Sequence, residues 1–124
     1  TVHTELLNQI THPVIRALLE KKLQSFSKES TPAIIIDAPQ LFESGLDSRC
    51  DFVAAVLAPK EIRIKRLQKR DGISAKEVLS RMSVQHSDDF FRKHSDFILD
   101  GNLLPEQVRG HASEFLHQVL EGNA

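Results

Sequence analysis

Three features of the sequence predict an α/β fold built on a parallel sheet. Residues 33–36 (Ala-Ile-Ile-Ile) and 52–57 (Phe-Val-Ala-Ala-Val-Leu) are continuous apolar runs, the pattern of strands buried on both faces. Each ends in a proline turn, at Asp37-Ala38-Pro39 and at Ala58-Pro59. Amphipathic stretches with helical spacing surround both runs, giving the order helix, strand, helix, strand, helices, strand, helix. That alternation implies a parallel sheet with right-handed crossovers, and in such sheets ligands bind at the carboxyl ends of the strands.

Taken in order, Leu6, Leu7 and Ile10 give a first short helix. Pro13 fits the first turn of a second helix, capped by Thr11 or His12. Its apolar stripe is Val14, Ile15, Leu18, Leu19 and Leu23. Residues 25–32 are polar and loop-like. After the second strand, Pro59 opens a helix over 60–70, and Asp71-Gly72 closes it, glycine supplying the left-handed residue. Ser74-Ala75-Lys76-Glu77 is a capping box that starts a helix reaching to about residue 85. Phe90, Phe91 and His94 suggest another short helix, and 96–100 a third strand. Pro105 opens the last helix, with Val108, Ala112, Phe115, Leu116 and Val119 as its buried stripe.

The bulk properties exclude several function classes. With 124 residues the chain is one domain at most, long enough to bury a core without staples. Its formal net charge of -1 gives no global pull toward nucleic acid or anionic lipid. Trp and Tyr are absent, which disfavours a stacking platform for single strands. No apolar run approaches the roughly 20 residues that span a bilayer, and no signal-peptide layout is present. Cys50 is the one cysteine, in keeping with a reducing cytoplasm. The start at Thr1-Val2-His3 reads as an excised piece, while Glu121-Gly122-Asn123-Ala124 reads as an ending.

Chemistry is sought first beyond the strands. Asp37 stands one residue past an apolar run, where a carboxylate can hold a magnesium-bound water or accept a hydroxyl proton, or can simply cap the turn. The helix that follows the second run carries Lys60, Arg63, Lys65, Arg66, Lys69 and Arg70 against a single acid, Glu61. Arg66 and Arg70 are four apart and share one face, so two guanidiniums side by side can clamp a polyphosphate. On charge alone a solvated basic face is the simpler reading. Arg81 and Gln85 lie beyond the Asp71-Gly72-Ile73-Ser74 hinge, an arrangement suited either to a mobile lid over an anion or to an ordinary helical hairpin. His12, His86, His94, His111 and His117 lack metal-ligand spacing, and Cys50 is read as a packed thiol. There is no G-x-x-x-x-G-K-[ST] phosphate cradle.

Four stretches in register resemble dephospho-coenzyme A kinase. Thr11-His12-Pro13-Val14-Ile15-Arg16 is similar to that family's Thr-His-Pro helix start. Ile36-Asp37-Ala38-Pro39-Gln40-Leu41-Phe42-Glu43-Ser44-Gly45-Leu46 resembles its strand-end segment, with Gln40 in place of the usual leucine. Arg66-Leu67-Gln68-Lys69-Arg70-Asp71-Gly72-Ile73-Ser74, with Arg81 and Gln85 beyond, resembles its lid. Ser95-Asp96-Phe97-Ile98-Leu99-Asp100 resembles its last strand.

The resemblance implies a three-layer P-loop kinase-like parallel sheet with helices on both faces and a helical lid, incomplete because the N-terminal strands are missing. The whole chain, 1–124, would be the C-terminal part of a single kinase domain, with acceptor-side helices over about 1–31 and helices including the lid over about 60–94. The implied reaction is ATP-dependent phosphorylation of the 3′-hydroxyl of dephospho-coenzyme A, the final step of coenzyme A synthesis, with Mg2+ as cofactor. Asp37 would be catalytic and an indirect magnesium ligand. Arg66, Arg70, Arg81 and Asn102 would bind ATP, although the family places asparagine directly after the last strand and here Gly101 intervenes. Pro39, Leu41, Phe42 and Glu43 would line the acceptor side. The P-loop strand would lie between 33–36 and 52–57, so the chain alone is expected not to keep the family sheet as a monomer. It would need its N-terminal part or another copy to complete the sheet, and would show no turnover. Neither a membrane nor a nucleic acid is expected as a partner. The alternatives are another nucleotide kinase of the same architecture, and a non-catalytic domain that binds RNA or a phosphorylated partner through the basic helix.

Overall fold

The computed structural model describes residues 2–26 and 30–122, apart from the side chain of Thr4. Parts of the expected 25–32 loop and of the chain end, residues 27–29 and 123–124, lie outside the described residues. The chain divides into two compact units, Thr1–Asp51 and Phe52–Ala124.

In the first unit the two expected helices are one. Helix α1 runs Val2–Gln24 with Pro13 inside it. Pro13 cannot donate to the carbonyl one turn back. The helix nevertheless passes through that missing bond, and since Ile10, Thr11, Val14 and Ile15 beside Pro13 are β-branched, local propensity does not account for it. The Thr11 hydroxyl turns back to donate to the Leu7 carbonyl at 2.9 Å. The apolar positions expected to be buried on the second helix are largely open, Val14 and Leu18 being 57% and 63% exposed.

Residues 33–36 also depart from expectation. They belong to no strand among the described residues, and Ile35 is 83% exposed. An apolar run becomes a strand only when a neighbour takes up its N–H and C=O groups, and no described ladder includes it. Beyond it the chain turns through residues 39–45 into a 3₁₀ turn, Leu46–Arg49, with Leu46 buried. Gly45 sits at φ 69°, a left-handed conformation that other residues adopt only with strain, and a Cβ there would also have to displace the Arg16 guanidinium, 2.8 Å away.

The turn segment is clasped to one face of α1. His12 Nε2 lies 3.3 Å from Gln40 Oε1. Arg16 donates to the Ser44 carbonyl, and Glu20 accepts from Arg49 at 2.6 Å. His12, Arg16 and Glu20 are spaced by four, the spacing that aligns side chains along a helix. His12, expected as a helix cap, is instead an interior helical residue in this row.

The second unit holds the sheet. Strands β1 (Ala54–Leu57) and β2 (Phe97–Asp100) pair in parallel, with Ala54 opposite Phe97 and Leu57 opposite Asp100. Asp96 fixes the register: its carboxylate accepts from the Val53 N–H at 2.7 Å while its own N–H donates to the Val53 carbonyl at 2.8 Å. Helix α2 (Lys60–Asp71) follows β1 and ends at Gly72 in the left-handed conformation, as expected. Helix α3 (Ala75–Met82) begins in a complete capping box, Ser74 with Glu77, and stops three residues earlier than expected. Helix α4 (Asp88–His94) is capped by the Ser87 hydroxyl, and its acids and bases are placed to suit the helix dipole.

Helix α5 (Pro105–Leu120) has Pro105 in its first turn. It packs on β2, where Phe97 and Phe115 stand 4.1 Å apart between ring centres. Most of its expected stripe is half-buried, while Leu116 is more open. Helix α2 packs against α3, which contributes the fully buried Val78, and α4 packs against β1. The described residues are therefore mixed α/β, with a small parallel sheet and five α-helices. No helix among the described residues is long and apolar enough to cross a membrane.

Candidate active site

The carboxyl ends of β1 and β2 lie side by side, because a parallel pair in this register ends at Leu57 and Asp100 together. Gly101, the next residue, donates to the Leu57 carbonyl at 2.7 Å. A Cβ at Gly101 would stand 3.0 Å from Val56 Cγ1 and 3.3 Å from that carbonyl oxygen. Close packing thus favours glycine over a larger residue at the position just after β2. Asn102 follows, its N–H held at 2.8 Å by the Asp100 carboxylate and its side chain exposed.

Arg66 reaches this strand end from α2, donating from Nη1 to the Gly101 carbonyl at 2.7 Å. Two of the expected nucleotide residues, Arg66 and Asn102, are thereby brought to adjoining positions. Arg70 lies one turn further along α2, about 6 Å in helical rise. Its Nε and Nη2 bind the Asp71 carboxylate at 2.6 and 3.2 Å. Arg81, from α3, donates to the same carboxylate at 2.9 Å. The hinge at Gly72, φ 66°, turns the chain so that these two arginines converge.

Hydrogen bonding to Arg70 holds the Asp71 carboxyl below its ordinary range, and the Arg81 charge adds to this. The same hydrogen bond raises Arg70. Glu77 is lowered by its bonds to the Ser74 hydroxyl and backbone.

The basic run on α2 is therefore not a uniform solvated face. Arg63 pairs with Asp88 at 2.9 Å, Arg66 binds a carbonyl and Arg70 a carboxylate, leaving Lys60, Lys65 and Lys69 exposed. The residue that the sequence reading passed over is Asp71. Its signal was an acid in the last turn of a helix, where the dipole disfavours negative charge, beside one arginine and one hinge away from another.

The other expected residues belong to the first unit. Asp37 and Pro39 are exposed, Leu41 and Phe42 half-buried, and Glu43 exposed. Glu43 lines an open cleft with Glu5, Asn8, Gln9, His12 and Pro13 of α1. No group of three or more His, Cys, Asp or Glu side chains among the described residues is placed to hold a metal ion. Cys50 is pushed up, chiefly by burial and also by Asp47 and Asp51, which keeps its thiol protonated.

The dephospho-CoA kinase family model matches residues 2–106. The chain belongs to the dephospho-CoA kinase family. Among its relatives, the dephospho-CoA kinase of Syntrophotalea carbinolica is 32% identical over 116 residues, covering 94% of this chain and 55% of the relative. That of Moorella thermoacetica is 48% identical over 82 residues, covering 65% and 39% respectively. Two solved structures align over nearly all of the chain. A Thermus thermophilus crystal structure does so at TM-score 0.76 and 29% identity, covering 93% of this chain and 59% of the other. The dephospho-CoA kinase of Campylobacter jejuni gives TM-score 0.66 and 28% identity, covering 98% and 60%. These likenesses bear out the P-loop kinase-like α/β class. The chain spans about half the length of the curated relatives it matches.

Proposed function

We propose that this chain carries the lid and part of the acceptor region of a cytoplasmic enzyme that transfers the γ-phosphoryl group of ATP to the 3′-hydroxyl of dephospho-coenzyme A. The observation that carries the reading is the row of guanidiniums in the second unit. Arg66 stands at the end of β2, and Arg70 and Arg81 converge on one carboxylate. Phosphoryl transfer asks a protein mainly for positioning and for cations on the phosphate oxygens, and forked guanidiniums supply both. Arg66, Arg70 and Arg81 bind the ATP phosphates in this account. Asn102 lies beside the Gly101 carbonyl that Arg66 grips and contacts the nucleotide there.

Asp37 is assigned to the transferring end. An exposed carboxylate such as Asp37 suits Mg2+ that arrives with ATP phosphates and keeps most of its waters. When bound, the ion neutralises charge on those phosphates. Pro39 stiffens the turn that aims Asp37, and Leu41, Phe42 and Glu43 line the acceptor side. The bare basic-face reading, with RNA as partner, gains no support from α2, whose arginines are engaged.

The test is product identification. The protein expressed from its full reading frame is mixed with ATP, Mg2+ and dephospho-coenzyme A, and the product is read by phosphorus NMR. A new phosphomonoester on the ribose 3′-oxygen is expected. ATP consumption only with a different nucleotide acceptor would move the assignment to another kinase of this architecture.

A further inference from the structure

We infer that Asp71 is a built-in competitor for the phosphate seat of the lid, occupying with its carboxylate the guanidinium N–H groups that a polyphosphate takes over. The inference rests on the proposed role of Arg70 and Arg81 in binding ATP. Three N–H donors from two arginines meet on one carboxylate: Arg70 Nε at 2.6 Å, Arg70 Nη2 at 3.2 Å and Arg81 Nη1 at 2.9 Å. A carboxylate presents two oxygens in the fork geometry that two phosphate oxygens also present. The same donors therefore cannot serve both at full strength.

The arrangement is built to exchange. The Arg70 and Arg81 side chains are 71% and 59% exposed, so solvent screens both pairs and neither is locked. Arg70 is the immediate neighbour of Asp71 and cannot move far from it. Arg81 is joined to it across the Gly72 hinge, around which there is open space. Arg81 is thus the partner that transfers to an arriving anion, while Asp71 keeps the two guanidiniums near each other. The acid also stands at the negative end of α2, where the helix gains nothing from it. Its carboxylate is accounted for by the two arginines. The consequence is selectivity: a weak single anion does not displace Asp71, and a polyphosphate with several oxygens does.

The experiment is titration of inorganic tripolyphosphate by calorimetry at low salt, in protein from the full reading frame. Asp71→Asn is expected to bind about three- to tenfold more tightly than wild type, with the difference shrinking as salt rises. Asp71→Glu, which keeps the charge, is expected to stay within twofold of wild type. In an Arg70→Ala/Arg81→Ala background Asp71→Asn is expected to change nothing. Circular dichroism checks that helix content is retained, and Asp71→Ser provides a second neutral variant. If wild type binds but both neutral variants bind equally or more weakly, Asp71 is not a competitor and the inference falls alone. If wild type and the double arginine variant bind tripolyphosphate equally, or not at all, the proposed role of the arginines falls with it.

Discussion

The arginines at 66, 70 and 81 each make directed N–H bonds. Each is used through a specific N–H direction: Arg66 toward one carbonyl oxygen, Arg70 through two nitrogens of its fork, and Arg81 across the hinge. Lysine keeps the charge but not the fork. Arg81→Lys is therefore expected to lower kcat/KM for ATP by roughly tenfold, and Arg81→Ala by about a hundredfold, in steady-state kinetics. The residue scale also sets a pH dependence. Asp71 and Glu77 have folded pKa values below their unfolded ones. Their stabilisation of the α2–α3 hinge is fully present above the ordinary carboxylate range and is lost as pH falls through the depressed values. Amide exchange at Glu77 and Val78 is expected to be unchanged from pH 7 to about 5 and to lose protection below about pH 4. The arginine spacing was legible in the sequence because four residues on a helix fix a shared face. The role of Asp71 was not, because nothing in the chain order says which of several nearby acids two arginines will choose.

At the scale of elements, several self-contained local signals agree with the structure. The Ser74–Glu77 capping box, the Gly72 helix stop and the Pro105 helix start need no partner beyond their own few residues. Signals that depend on distant partners divide: 52–57 and 96–100 pair as β1 and β2, while others depart from expectation. Pro13 was expected to divide two helices, yet α1 passes through it, and the His12, Arg16 and Glu20 side chains on and beyond that turn are held by the segment that follows the helix. Residues 33–36 have the composition of a buried strand and no ladder among the described residues. Two substitutions test the elements that did form. Ser74→Ala removes the cap of α3 and is expected to cost about 1 kcal/mol in urea denaturation. Asp96→Ala removes the carboxylate that holds Val53 N–H at the start of the β1–β2 pair, and is expected to cost about 1–2 kcal/mol by the same measurement.

On the scale of the whole molecule, the apolar surface is the telling quantity. The buried core among the described residues is Leu46, Val53, Leu57 and Val78, while Leu6, Ile10, Val14, Leu18 and Ile35 are open. Exposed apolar surface of this extent seeks cover. The isolated 124-residue chain is expected to bind the dye ANS and to associate as concentration rises, and to phosphorylate no dephospho-coenzyme A. Turnover by that chain alone would overturn the expectation that a P-loop outside it is needed. Family membership was legible at this scale because four weak motifs kept one order and spacing over most of the chain.

The action of the second unit's arginines on ATP is tested by ATP binding, measured by calorimetry in protein from the full reading frame. Arg66→Ala and Arg70→Ala are compared with Lys60→Ala and Lys65→Ala on the same helix. Both arginine variants are expected to lose at least tenfold in affinity, while both lysine variants stay within twofold of wild type. Equal, small losses across all four variants would contradict it, because α2 would then act only through its overall charge.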